Sequence, residues 1–228
     1  MNSITSDQMY RIEDNSHNLI GMRRVYMMEN AGHGIADFIV SKFKTRLKDK
    51  KIVAVCGTGN NGGDGFVASR HLTCYYEDAA SADITVILFG LPSSIRSEEA
   101  NINWKILEKM DSIKIVHGKE LTEEIKTKIV KADIIIDGIF GTGIKGEIRY
   151  PIDDAVDLIN SSRAYIVSID VPSGLDPDTG AVHEKCVKAD ATVTFHRMKR
   201  GLIRNKKYTG IIRIECIGIP PEAERGVI

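Results

Sequence analysis

The stretch KIVAVCGTGNNGGDGFVASRHL, residues 51–72, decides the fold. Ile52 to Cys56 include no polar residue, and the run is too short for a helix of its own. It reads as a strand buried on both faces. The next nine residues, 57–65, contain five glycines. From about residue 64 the spacing turns helical. A strand, a glycine turn and a helix in that order make half of a βαβ unit.

The same alternation continues on both sides. Strands are expected at 51–56, 83–89, 113–116, 132–137, 164–170, 190–195 and 211–216. Helices are expected at about 64–77, 97–110, 119–131 and 151–161. The first 46 residues read helical, with apolar residues at helical spacing over 25–44. Strands separated by helices imply a mostly parallel sheet with right-handed crossovers. The last two strands have no evident long helix between them and are expected to form an antiparallel edge. The expected class is α/β: a three-layer α/β/α sandwich of Rossmann type, as one domain over residues 1–228.

Composition narrows the function. Of the 228 residues, 43% are apolar and 27% charged, which suits a packed core with a solvated surface. Lys plus Arg equals Asp plus Glu, 31 each, so no net charge recruits nucleic acid or an anionic membrane. The N-terminus is polar and acidic, unlike a signal peptide, and no apolar run approaches membrane-spanning length. Cys56, Cys74, Cys186 and Cys216 lack metal-like spacing and are expected reduced, in a cytoplasmic protein.

Three polar segments follow predicted strands: GTGNNGGDG (57–65), DGIFGTGIKGE (137–147) and DVPSGLD (170–176). In an open parallel sheet, ligands bind outside the carboxyl ends of the strands, so all three can converge on one crevice. Gly57, Gly59 and Gly62 satisfy G-x-G-x-x-G, a cradle for a pyrophosphate or simply a tight strand–helix turn. The acidic residue that would grip a ribose is missing, since the second strand runs into Gly90-Leu91-Pro92. Asp64 is either a helix N-cap or a crevice carboxylate. Asn60 and Asn61 either tolerate left-handed backbone or offer amide oxygens to a cation or sugar. Lys145 with the surrounding glycine amides could hold a phosphate. Asp170, at the mouth of the crevice with apolar neighbours, is a candidate for a raised pKa and acid/base work. His196 lies near a strand end, with a structural role as the alternative.

With these residues in view, the chain resembles the NAD(P)HX epimerases, the YjeF N-terminal domain proteins. The resemblance rests on MMENAG (27–32), GTGNNGGDG, DGIFGTGIKGEIRYP (137–151), SIDVPSGLDPDTG (168–180) and DATVTFHRMKRGL (190–202). It implies a Rossmann-like sandwich that interconverts the R and S epimers of NADHX and NADPHX, the hydrated forms of NADH and NADPH. It also implies one K+ per subunit, a functional link to a separate dehydratase and a possible homodimer; the MMENAG helix either offers apolar surface for that dimer or is an ordinary core-facing helix. Asn60, Asn61, Gly62, Gly63 and Asp64 match one substrate-contacting segment. Gly141, Thr142, Gly143, Ile144, Lys145, Gly146 and Glu147 match another, here without the aromatic residue that segment often has. Asp170 matches a further substrate contact, and Asn61, Asp137 and Ser173 match potassium ligands.

The implied chemistry needs an acid/base group. The ring hydroxyl of NAD(P)HX lies beside the ring nitrogen, which can expel it as water once an acid protonates it. Water then returns to either face of the flat cation. Asp170 is the expected catalytic group and Asp64 the alternative. A non-catalytic nucleotide- or RNA-binding module of the same fold, and a nicotinamide-dependent oxidoreductase, are the competing readings. The intact polar set argues against the first and the missing ribose acid against the second.

Overall fold

The computed structural model describes residues 3–76, 81–143, 148–182 and 184–228. Ile144, Lys145, Gly146 and Glu147, expected in the substrate loop, lie outside the described residues, as do His183 and Glu77 at the end of one expected helix.

All seven apolar runs form strands: β1 (Ile52–Cys56), β2 (Ile84–Leu88), β3 (Ile113–His117), β4 (Ile134–Gly138), β5 (Tyr165–Ile169), β6 (Ala191–Phe195) and β7 (Ile211–Glu215). They make one sheet in the order β3-β2-β1-β4-β5-β6-β7. Every neighbouring pair is parallel, including β6 and β7. The expected antiparallel edge is therefore wrong. A parallel pairing needs a crossover of about a dozen residues or more. The segment 196–210 supplies it with a short 3₁₀ turn and the brief helix Lys206–Thr209 instead of a long helix.

The helices are α1 (Ser6–Asn18), α2 (Arg24–Phe43), α3 (Asn60–Thr73), α4 (Glu98–Leu107), α5 (Glu123–Val130), α6 (Ile152–Ser161) and α7 (Lys206–Thr209). Alternation along β1 splits the core into two layers. Ile52, Ala54 and Cys56 pack with Ile35, Phe66 and Trp104 from α2, α3 and α4. Val53 and Val55 pack with Ile125, Ile129 and Ile159 from α5 and α6. The sandwich is thus α/β/α, as its uninterrupted Val and Ile strands require.

Two local features position the site. First, α3 starts at Asn60, capped by Gly59 without a side-chain bond, so Asp64 is not the N-cap. A Cβ on Gly62 would lie 1.9 Å from the Gly57 carbonyl oxygen. Only glycine lets the first turn come so close to the end of β1, and this contact outweighs the poor helix propensity of the sequence. Second, α1 is held at its start. Thr5 and Gln8 form a reciprocal capping box, with Gln8 N donating to Thr5 Oγ1 at 3.1 Å and Thr5 N to Gln8 Oε1 at 3.0 Å. Just before it, Ile4 bonds both ways with the segment after β6: its N–H donates to the Met198 carbonyl at 2.9 Å, and its own carbonyl accepts from Arg200 N at 3.1 Å.

The MMENAG segment belongs to α2, where Met27, Met28, Ala31, Gly32 and Ile35 are buried. This face is core in the single chain, so the apolar surface expected to serve a dimer is covered by the chain's own packing. A Cβ on Gly32 would meet Val67 Cβ at 2.3 Å and Ala68 N at 2.8 Å on α3. Gly32→Ala should therefore destabilise the protein by about 1–3 kcal/mol through overpacking. The check is urea denaturation, where the midpoint should fall with the m-value unchanged; an unmoved midpoint would contradict this close contact.

Candidate active site

The strand order reverses between β1 and β4, and the crevice opens at that point above the strand ends. Its volume is about 450 Å³. Asn60, Asn61 and Asp64 reach it from α3, Gly141, Thr142 and Gly143 from the loop after β4, and Asp170 from the end of β5. Gly62 and Gly63 sit behind this lining, buried in the first turns of α3.

Beneath the crevice lies Asp137, fully buried in β4. Its Oδ2 accepts from Ser168 Oγ at 2.7 Å and Ser173 N at 2.9 Å. Its Oδ1 accepts from Ser173 Oγ at 2.5 Å and, more weakly, from Ile139 N at 3.5 Å. Ser173 Oγ in turn accepts from Phe140 N at 2.9 Å. Asn61 Nδ2 donates to the Phe140 carbonyl at 2.9 Å, which leaves its Oδ1 for another partner. The structure thus gathers Asn61, Asp137 and Ser173 around the Phe140 backbone. Burial pushes the Asp137 carboxyl up, against the downward pull of the Ser173 and Ser168 donors. Its bonds come from neutral groups, and among the described residues no Lys or Arg pairs with it.

Asp170 is held differently. It sits at the centre of a three-residue turn with φ 61°, closed by Val171 N donating to the Ile169 carbonyl at 2.7 Å. Asp is one of the few side chains that tolerate this left-handed backbone. Asp170 Oδ1 accepts from Thr194 Oγ1 at 2.9 Å and Phe195 N at 3.2 Å. It also pairs with the ammonium of Lys199, which is fully buried. Lys199 Nζ further donates to the Phe195 carbonyl at 2.8 Å and Thr194 Oγ1 at 3.2 Å. This carboxylate thus has a buried cation and two further donors as partners.

Asp64 has the opposite environment. Among the described residues it forms no hydrogen bond or ion pair, and it is nearly buried. Burial pushes it well above the usual carboxylate range, and the charges of Asp170 and Glu13 push the same way. Glu13 comes from α1 and lines the same crevice. Burial raises its carboxyl to about 7, with Lys199 pulling it down and Asp170 adding to the rise. His196 points elsewhere: its Nε2 lies 2.8 Å from Glu224 Oε1, a structural pair.

Sequence reasoning missed Glu13, Tyr10, Arg96 and Phe195 in the lining, and Lys199 beneath it. Glu13 and Tyr10 sit on a polar helix with no motif of their own. Lys199 stands in the basic run HRMKR, which reads as solvated surface. Its signal was the apolar strand just before it, which puts the run at a strand end.

Fold and site together define a class: a Rossmann-like α/β protein with a carboxylate-lined crevice at the switch point of its sheet. The chain belongs to the family described as YjeF-related protein N-terminus, which matches residues 25–201. It is 48% identical over 225 residues to the "NAD(P)H-hydrate epimerase" of Cenarchaeum symbiosum, covering 99% of each chain. It is 47% identical to the protein of the same name from Nitrosopumilus maritimus, again covering 99% of each. A longer relative, the "Bifunctional NAD(P)H-hydrate repair enzyme Nnr" of Pyrobaculum aerophilum, is 43% identical across 98% of this chain, which spans 43% of that protein. Among solved structures, yeast ynu0 (YNL200c) superposes with a TM-score of 0.79 at 24% identity, covering 95% of this chain and 88% of that one, which supports the fold.

Removing one partner of a buried ion pair costs about 3–5 kcal/mol. Lys199→Met should lower stability by that order in denaturant titrations, and adding Asp170→Asn should recover part of the loss. A Lys199→Met protein as stable as the wild type would show that the pair is not formed.

Proposed function

We infer that this chain is an NAD(P)H-hydrate epimerase, interconverting the R and S forms of hydrated NADH and NADPH. The observation that carries the mechanism is the pair of acids with opposite environments in one crevice. Environments that push two carboxyl groups apart assign acid and base. Asp64, neutral through burial, is the acid that protonates the departing ring hydroxyl. Asp170, paired with the buried Lys199, faces the flat cation and takes the proton of the incoming water. The first-turn amides of α3 and the loop at Gly141, Thr142 and Gly143 suit the pyrophosphate and ribose, since helix N-termini favour anions. Asn60 and Asn61 lie at the same edge.

The residues fit a monovalent cation. Asn61 Oδ1, the Asp137 carboxylate and Ser173 Oγ are all hard oxygen donors, and the buried charge of Asp137 has only neutral donors around it. We assign K+ to these three residues. When bound, it would neutralise Asp137 and draw the loops after β4 and β5 together. A separate dehydratase would then act on the S epimer; the bifunctional relatives motivate that link. No helix among the described residues is long and apolar enough to cross a membrane. A cytoplasmic location and a homodimer complete the reading on family grounds, and light scattering on the purified protein tests the dimer.

Two measurements test the reading. Epimer exchange followed by chromatography should fall about 10²–10⁴-fold in Asp64→Asn and in Asp170→Asn, the usual range for losing a general acid or base. A folded variant with near wild-type exchange removes that residue from the mechanism. Because Asp64 must carry a proton, activity should decline as pH rises through its elevated pKa. For the cation, a ligand at about 100 times its Kd adds about 2.7 kcal/mol of stability. KCl should raise the melting temperature over choline chloride at equal ionic strength, and Asp137→Asn should abolish the rise. An equal melting temperature in both salts would remove potassium from the site.

A further inference from the structure

We propose that Glu13 is the proton-exchange group of this active site, returning a proton to Asp64 after each turnover through a small cavity that joins the two carboxyls. The inference rests on the epimerase reading and extends it to a residue that reading leaves without a role.

Acid and base on opposite sides of a flat cation leave the site altered. The departing hydroxyl takes a proton from Asp64 and leaves as water. The entering water gives its proton to Asp170. One water has left and another has been added, and one proton has moved from Asp64 to Asp170. The site then fits the product epimer and not the substrate. Continued conversion in one direction requires that proton to travel back.

Glu13 is placed to carry it. It lines the crevice alongside Asp64 and Asp170. It also lines a second cavity of about 70 Å³ that Asp64 shares, with Met27, Met28 and Phe195 as apolar walls. That space suits about two waters at ~30 Å³ each, and its carboxyl ends give them polar partners. Among the described residues Glu13 forms no hydrogen bond or ion pair, and it is half-buried, so it meets both the site and the solvent. The charged groups around it come from several elements: Asp14 on α1, Arg24 on α2, Asp64 on α3, Glu99 on α4, Asp170 after β5 and Lys199 after β6, with Arg96 before α4 lining the same crevice. Arg24 is itself paired with Asp14, so it does not fix Glu13 in the charged state. With its carboxyl near 7, Glu13 gains and loses a proton readily in neutral solution. Its place is set by the capped start of α1 and by the bonds of Ile4 beside Lys199.

Glu13→Gln keeps the shape and removes the exchange. The expected result is a fall of at least about 10-fold in kcat with KM little changed, within the range for losing a proton-transfer group. Imidazole or formate at increasing concentration should restore kcat in the variant while leaving the wild type unmoved. Glu13→Asp should retain most of the activity. Ionised Glu13 is disfavoured in the folded state, so stability is lost as pH rises from about 4.5 to about 7. Glu13→Gln should therefore melt no lower than the wild type at pH values above neutrality, which separates the kinetic effect from misfolding. Wild-type kcat in Glu13→Gln, or a loss that no buffer acid repairs, overturns the proposal. Absence of epimer exchange in the wild type would instead overturn the epimerase reading itself.

Discussion

Asp137 ties this site together. It has no contact with water, yet it accepts hydrogen bonds from the end of β5 through Ser168, from the following turn through Ser173, and from its own loop through Ile139. A buried carboxylate left unsatisfied would be costly, so each of these loops is held where it can donate. Through Ser173 and Phe140 the same network reaches Asn61 at the start of α3. Three turns far apart in the chain therefore share one set of hydrogen bonds. The crevice above them has a floor that cannot shift piecemeal.

On that floor the fold builds two electrical environments. Asp170 is clamped by a buried lysine and two hydrogen-bond donors, and its strained backbone is the cost of aiming it. Asp64 and Glu13 have no such partner among the described residues, and burial raises both carboxyls, Glu13 to about 7. Stability alone would favour replacing these two carboxyls with neutral groups. Their presence in a crevice of about 450 Å³ is what acid/base chemistry on a bound nucleotide requires. The first turn of α3 would add the other requirement, backbone N–H groups that suit a phosphate.

Much of this was legible in the sequence, for reasons that differ by residue. The strands announced themselves because a sheet covered on both faces needs unbroken Val and Ile, as in β1 and β4. The sense of β7 was not legible: its crossover uses a brief helix and a 3₁₀ turn, with no periodic apolar pattern to reveal it. The start of α3 was hidden because Asn60 to Gly63 are poor helix formers, recruited by the approach of Gly62 to Gly57. Asn61, Asp64, Asp137, Asp170 and Ser173 could be picked out because each stands at or just past the end of a strand and each has a polar group where a core would not keep one. Lys199 and Glu13 escaped notice because a charge within a basic run or on a polar helix reads as solvated. Their roles emerge only when Ile4 pairs beside Lys199 and brings α1 over the crevice.

The central claim is that the ring hydroxyl leaves and returns as water between two carboxyls. It is tested most directly by running the conversion of purified (R)-NADHX in water enriched in oxygen-18 and weighing the product epimer by mass spectrometry. The account predicts that every inverted molecule carries one heavy oxygen at the ring carbon. Inversion with the original oxygen retained would contradict it.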